Sequence, residues 1–188
     1  MIPSTHPQLE VIIAQHFNEG TYRLQKRCTV FASANPGWDK ILQPSDQKEF
    51  YQRLTSLVRW VSRGQHQAMR LEQLRAGGYV WWVYRAMTCN LHEKLDGIAL
   101  CSDHPFWLTH YPANGWDCDC EVYGARTLAG IRRVGGDCSK ELPCGWNEKD
   151  PVSGQLPWVS PEFVGQAAPS FVACLEELLR RNAMADGA

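Results

Sequence analysis

The sequence predicts an α+β fold: a helical amino-terminal part with one long helix, then a small loop-rich β module, and finally a carboxy-terminal helix. Apolar residues at helical spacing over residues 46–76 predict the long helix. An aromatic and β-branched run at residues 79–86 predicts a strand. The 188 residues suit one domain with a helical appendage. We divide them into a helical part, residues 1–78, and a module, residues 79–188, which could also form one continuous domain.

The helical part is predicted to contain two helices separated by a loop. Apolar residues recur at helical spacing over residues 7–19, whereas residues 31–45 contain turn-forming Asn, Pro and Gly. The long helix follows over residues 46–76, and Gly77 and Gly78 end it. Such length is typical of a packing strut or an arm that binds a partner.

The module is predicted to combine short strands with long loops. Its predicted elements are a strand at 79–86, a turn and strand at 95–100, a strand at 120–123, a helix at 125–134, an extended Gly- and Pro-rich segment at 135–169 and a helix at 170–184. The dipeptides Asp96-Gly97 and Asn114-Gly115 are typical of tight turns and are expected to shape the loops.

The cysteine and histidine spacing indicates a metal site. Cys89 and His92 are three residues apart and could bind one ion from a single turn, and Cys118 and Cys120 could join them from a loop. Thiolate and imidazole are ligands that zinc takes in tetrahedral structural sites. We therefore predict a structural zinc held by these four residues. His110, and next His104, are reserve ligands that could replace one of them.

Several alternatives remain open at the level of spacing. The same cysteines could be structural thiols, or Cys89 and Cys118 could form a disulfide, although no leader sequence indicates an oxidising compartment. Cys138 and Cys144 could form a second metal pair or a disulfide, and two separate core thiols fit better. Cys174 lies among apolar residues of the last predicted helix, and Cys28 has no partner in sequence.

Composition and motif searches argue against several function classes. The net charge of −1 provides no basic field that would attract nucleic acid or anionic lipid. No apolar run approaches the ~20 residues that a membrane-spanning helix requires. The zinc-protease pattern His-Glu-x-x-His is absent, because Asp96 stands where its second histidine would be. The P-loop, the dinucleotide fingerprint and the nucleophile elbow are also absent.

An ordered series of motifs within roughly residues 79–124 resembles the phage Mu protein F-like head morphogenesis family, the minor head proteins of tailed phages. The matching segments are Trp82-Val83-Tyr84-Arg85, His92, Leu95-Asp96-Gly97, Asp103-His104-Pro105-Phe106-Trp107 and Tyr111-Pro112-Ala113-Asn114-Gly115-Trp116-Asp117-Cys118-Asp119-Cys120. A related portal-associated branch carries Cys-x-x-Cys at the first pair, which favours Cys89 and His92 as ligands. Asp119 stands where the family usually has Arg, and Ala113 where Pro is usual.

The resemblance implies a structural, non-enzymatic protein of the virion. Such a protein would be made in the host bacterial cytoplasm and lie in the head interior or at the portal vertex. It would assist head assembly or DNA delivery. Its partners would be the portal protein, the major capsid protein or packaged DNA, with no membrane contact. Leu57, Trp60 and Val61 on the long helix are candidate anchors for such a partner.

Two other functions compete with this interpretation. A metal-dependent hydrolase or nuclease-like toxin would use Asp103, His104 or His110 on a metal-bound water, and it would need three protein ligands and an open position. A cytoplasmic DNA-binding zinc module would share the metal ligands, but the near-neutral charge argues against it.

Overall fold

A computed structural model describes residues 47–163 and, beyond them, Glu177, Arg180, Arg181 and Met184. These four residues are helical, as predicted for residues 170–184. Several predicted features lie outside the described residues: the helix at residues 7–19, the loop at residues 31–45, Cys28, Cys174 and the rest of the last helix. The chain divides into two compact units, one of residues 1–63 with 169–188 and one of residues 64–168.

The long helix, α1, runs from Gln47 to Ala76 and confirms the prediction for residues 46–76. The helix ends at Ala76 because two glycines, Gly77 and Gly78, follow it. Gly77 donates its N–H to the carbonyl oxygen of Gln73 at 2.9 Å. Gly78 then adopts a φ of 61°, which glycine takes without steric cost.

Two of the three predicted partner anchors are buried within the first unit. Leu57 is fully buried, and Trp60 is 6% exposed. The guanidinium carbon of Arg181 lies 5.0 Å from the centre of the Trp60 ring, a cation–π contact. The side chain of Val61 is not among the described ones. Leu57 and Trp60 are therefore covered by the chain itself, and contact with a partner would require them to be uncovered.

The second unit is built on a three-stranded antiparallel sheet in the order β2-β1-β3. Strand β1 spans Trp81–Arg85, β2 spans Ala99–Cys101 and β3 spans Glu121–Ala125. In register, Trp82 of the central strand pairs with Leu100 on one side and Gly124 on the other. All three strands were predicted from the sequence, with boundaries that differ by a few residues.

Both faces of β1 are buried because its side chains alternate between two clusters. Trp82 and Tyr84 point into the larger cluster, which also holds Cys118 and Cys120. Val83 points the other way, against Ile131 of a short helix, α3, which spans Leu128–Arg133. This helix begins at Thr127, whose hydroxyl accepts the N–H of Gly130 at 3.0 Å.

The outer edge of β3 is closed by side chains of α1. Gln67, which is 1% exposed, donates its amide to the carbonyl oxygen of Cys120 at 2.9 Å. One helical turn later, Arg70 donates to the carbonyl oxygen of Val122 at 3.2 Å. These bonds satisfy alternate carbonyls that an edge strand would otherwise leave unpaired.

Short helices and turns occupy the rest of the unit. They are the 3-10 helices Asn90–Leu95 and Pro161–Phe163 and the short helix α2, Phe106–Thr109. Residues 135–160 form turns and irregular backbone. Cys138 and Cys144 are exposed free thiols, so placing them in the core was wrong. Among the described helices, none is both long and apolar enough to cross a membrane.

Candidate metal centre

Four predicted ligands meet at one point of the second unit. The ligand atoms of Cys89, His92, Cys118 and Cys120 all lie within 4.8 Å of one another. His92 is central to the group: its Nδ1 atom lies 2.9 Å from the sulfur of Cys89, 3.3 Å from that of Cys120 and 3.6 Å from that of Cys118. Cys89 is half-buried, and the other three residues are buried. These four side chains could hold a metal ion.

The spacing of the donor atoms fits a tetrahedral zinc ion. Zinc–sulfur bonds of about 2.3 Å and zinc–nitrogen bonds of about 2.0 Å imply sulfur–nitrogen separations of about 3.5 Å in a tetrahedron. The three sulfur–nitrogen distances bracket this value. Three thiols and one imidazole also form a donor set that structural zinc sites use.

Local backbone structure explains how each pair of ligands is presented. Cys89 immediately precedes the 3-10 helix Asn90–Leu95, and its carbonyl oxygen accepts the N–H of His92 at 3.1 Å. That turn places the side chains of Cys89 and His92 on the same side of the backbone. Cys118 closes a second turn by donating its N–H to Gly115 at 3.2 Å, and Cys120 lies directly before β3.

A further contact joins the two ligand-bearing loops. The backbone N–H of Thr88 donates to the Oδ2 atom of Asp119 at 3.3 Å, and the Thr88 hydroxyl donates to the same oxygen. Thr88 precedes Cys89, and Asp119 lies between Cys118 and Cys120. Asp119 therefore links the two loops next to the four side chains.

The ring orientation of His92 is set by a contact on its other nitrogen. The Nε2 atom of His92 lies 2.8 Å from the carbonyl oxygen of Trp158. A carbonyl oxygen can only accept, so Nε2 carries a proton, and Nδ1 is the nitrogen that faces the three sulfurs and could bind a metal. Ligating histidines in metalloproteins are commonly held this way, by a hydrogen bond from the nitrogen that does not bind the metal.

The thiols and the imidazole shift one another's pKa values. Hydrogen bonding with Cys120, assisted by His92, lowers the pKa of Cys118 to about 4, although burial opposes the shift. Interaction with Cys118, together with burial, raises the pKa of Cys120. Burial also raises the pKa of Cys89. Burial alone would lower the pKa of His92, but the Cys118 thiolate outweighs it and the pKa is raised. One thiol of the three is thus ionised at neutral pH.

The reserve histidines do not join the four ligands. The Nε2 atom of His110 lies 3.0 Å from the carbonyl oxygen of Pro157, and its Nδ1 atom lies 2.7 Å from the hydroxyl oxygen of Thr109. The Nδ1 atom of His104 accepts the N–H of Phe106 at 3.1 Å, which places that ring at the start of α2.

The predicted turn residues support the module in two ways. Gly97 has a φ of 78°, and a side chain there would meet the carbonyl oxygen of Gly135. Asp96 reaches back to the end of β1, where its Oδ1 accepts from Arg85 at 2.9 Å and from the N–H of Ala86 at 2.8 Å. These bonds hold the loop that carries the first ligand pair against the sheet. Gly115 provides the carbonyl of the turn at Cys118.

Comparison with known proteins relates the chain to phage capsid assembly. A protein of Escherichia phage Mu that carries the name capsid assembly protein F is 35% identical over 86 residues, 43% of this chain. The matched region spans only 19% of that protein's length. No protein-family model matches the chain, and no solved structure matches it.

Proposed function

We propose that the chain is a structural component of a tailed-phage head, and that a zinc ion bound by Cys89, His92, Cys118 and Cys120 stabilises its module. The convergence of four donor atoms from two separate loops carries the metal part of this proposal. When bound, zinc would cross-link the loop before the 3-10 helix to the loop before β3. A structural zinc contributes directly to the free energy of folding.

A structural role fits the donor set better than a catalytic one. Four protein ligands complete a tetrahedron, whereas catalytic zinc keeps one position for water or substrate. Both histidines of the alternative hydrolase are engaged elsewhere. His110 has contacts on both ring nitrogens, and the Nδ1 atom of His104 binds a backbone N–H. These contacts support a metal centre that stabilises the fold.

The similarity to a phage capsid assembly protein supports the biological part of the proposal. We place the protein among the minor head components, at the portal vertex or in the head interior, where it would assist head assembly or DNA delivery. Its partners would be the portal protein, the major capsid protein or packaged DNA. Leu57, Trp60 and Val61 would act as anchors after a rearrangement that uncovers the first two.

Elemental analysis of purified protein tests the metal centre. Wild type is compared with Cys118→Ser and with Cys101→Ser, a control at an exposed free thiol. We expect about one zinc per chain in wild type and in the control. Cys118→Ser should lose the metal and melt at a lower temperature. Fully reduced wild type that contains no metal after purification with added zinc would refute the centre.

Detection of the chain in virions tests the biological part separately. The gene is expressed with an epitope tag in the host bacterium, and phage production is induced. The particles are then purified by density-gradient centrifugation. The proposal expects the tagged chain in full heads, at fewer copies than the major capsid protein. Its absence from particles and from assembly intermediates would contradict the proposed location, whatever the metal content.

A further inference from the structure

Two residues of the described chain other than glycine have a left-handed backbone, and both lie in turns that contact the candidate metal centre. Met87 has a φ of 45°, and Trp158 has a φ of 59°. Residues with a side chain rarely adopt this conformation, because their Cβ atom approaches the following carbonyl oxygen. Such strain persists only where the surrounding structure imposes it, and it is concentrated at functional sites.

The first turn spans residues 86–89 and ends at a candidate ligand. The carbonyl oxygen of Ala86 accepts the N–H of Cys89 at 2.7 Å, and the sulfur of Cys120 lies 3.9 Å from the same oxygen. Met87 is the second residue of this turn, and the residue after it does not have a positive φ. This is the pattern of a type II′ turn, in which glycine usually occupies the second position.

The second turn spans residues 156–159 and contacts two histidines. It is closed by a backbone hydrogen bond of 3.4 Å between its first and last residues. Trp158 follows Pro157 at the third position, which glycine usually takes in a type II turn. The left-handed residue therefore stands between the two peptide groups whose carbonyl oxygens face His110 and His92.

Side-chain packing does not account for the conformation of Met87, because this residue is 57% exposed. Contacts of the backbone fix the turn instead. The N–H of Thr88, which follows Met87, donates to Asp119, between two of the candidate ligands. A bond from Cys89 to a metal ion would fix the end of the same turn.

We propose that Met87 and Trp158 are positioning residues of the metal centre, and that metal binding holds their two turns in the left-handed conformation. This inference rests on the proposed metal site. Part of the free energy of metal binding then offsets the strain in the two turns. Glycine at either position removes that strain, so more of the binding free energy remains as affinity for the metal.

The test compares Met87→Gly with Met87→Ala. Both variants remove the exposed side chain, but only alanine keeps the Cβ atom that disfavours a positive φ. The control pair is Leu91→Gly and Leu91→Ala, because Leu91 is 79% exposed in the same ligand loop and is not left-handed. The zinc affinity of each full-length protein is measured by competition with a chromophoric chelator. Urea denaturation is recorded with and without zinc.

We expect Met87→Gly to bind zinc at least about 5-fold more tightly than Met87→Ala. Met87→Ala should stay within about twofold of wild type, because the lost side chain is exposed. At Leu91, glycine relieves no strain and only adds flexibility, so Leu91→Gly should bind zinc no more tightly than Leu91→Ala. Trp158→Gly and Trp158→Ala, which both lose the indole, should differ in the same direction as the Met87 pair.

Equal zinc affinities of Met87→Gly and Met87→Ala would overturn the inference and leave the metal centre intact. Glycine would then stabilise the zinc-free and zinc-loaded proteins alike, because the turn would be left-handed without metal. A wild type that binds no zinc would refute the metal centre itself. If the glycine variants do not fold, a crystal structure of metal-free wild type decides. Turns that lose their positive φ support the proposal, and turns that keep it refute it.

Discussion

His92 donates its Nε2–H to the carbonyl oxygen of Trp158 at 2.8 Å, across 66 positions of the chain. His110 makes the equivalent contact one residue earlier, with Pro157 at 3.0 Å. Two histidines thus hold consecutive carbonyls of a segment without regular secondary structure. The proposed metal ligand and the folding of that segment are therefore linked, because the same ring serves both.

The two roles of His92 can be separated by His92→Cys. A cysteine could complete a four-thiolate zinc site but could not reach the Trp158 carbonyl. We expect the variant to retain about one zinc per chain and to lose about 1 kcal/mol of unfolding free energy, because a part-buried carbonyl loses its donor. Metal analysis and urea denaturation of the zinc-loaded proteins measure these effects.

His92→Ala is the comparison for that variant, since it removes the ligand as well as the hydrogen bond. It should lose both the metal and more stability than His92→Cys. Equal stability of wild type and His92→Cys, with zinc bound in both, would show that the Trp158 contact contributes little.

The contact between Thr88 and Asp119 should stabilise the arrangement of the two ligand loops. Asp119→Asn and Thr88→Val each weaken it, and we expect each to cost about 1 kcal/mol, a modest value because Thr88 is exposed. The double variant should lose less than the sum of the two single losses, with a coupling of at least about 0.5 kcal/mol. Denaturation of all four zinc-loaded proteins completes the cycle, and strictly additive losses would argue against the contact.

Asp96 should make the module sensitive to acid. Burial would raise its pKa, but hydrogen bonds from the Ala86 N–H and from Arg85 outweigh burial and lower it. A lowered pKa in the folded state stabilises the fold above the ordinary value of 3.8, and this contribution disappears as the pH falls through the lowered value. Solvent screens this carboxylate, whose side chain is 39% exposed, so Asp96→Asn should lose no more than about 1 kcal/mol at neutral pH.

The difference between wild type and Asp96→Asn should narrow below about pH 4, once the carboxylate is protonated. Urea denaturation across this range measures it, and Asp103→Asn, at an exposed aspartate, is the control. A difference that stays constant down to the lowest pH would rule out the carboxylate as its source.

Metal binding should release protons in a number set by the pKa values of the thiols. Cys118, with a pKa of about 4, is already a thiolate at neutral pH, whereas Cys89 and Cys120 have raised pKa values and are protonated. Zinc binding at about pH 8 should therefore release about two protons from the three thiols. Zinc affinity should rise with pH for the same reason. Calorimetry in buffers of different ionisation enthalpy counts all released protons, and a protonated His92 would add its own because its pKa is raised. Ultraviolet thiolate absorption of the metal-free protein is therefore recorded as well. No thiolate absorption at neutral pH would contradict an ionised Cys118.

The four candidate metal ligands could be named from the sequence because each pair is local. Cys89 and His92 share one turn, and Cys118 and Cys120 flank one residue, so spacing alone indicated which side chains could act together. The periodicity of α1 and the β-branched, aromatic run of β1 were equally local signals, and both elements were confirmed. Helical and strand patterns repeat within a few residues, so they can be recognised in the sequence without knowledge of the fold.

Contacts between distant segments had no such signal. Nothing near Trp158 indicates that its carbonyl would receive the proton of His92, and nothing near Gln67 indicates that it would close the edge of β3. The exposure of Cys138 and Cys144 and the burial of Leu57 and Trp60 were likewise decided by the folded chain. The sequence alone determined which side chains could bind a metal and which segments could form helices and strands. Only tertiary structure decided which backbone groups orient those ligands, because hydrogen bonds across tens of residues depend on how the whole unit packs.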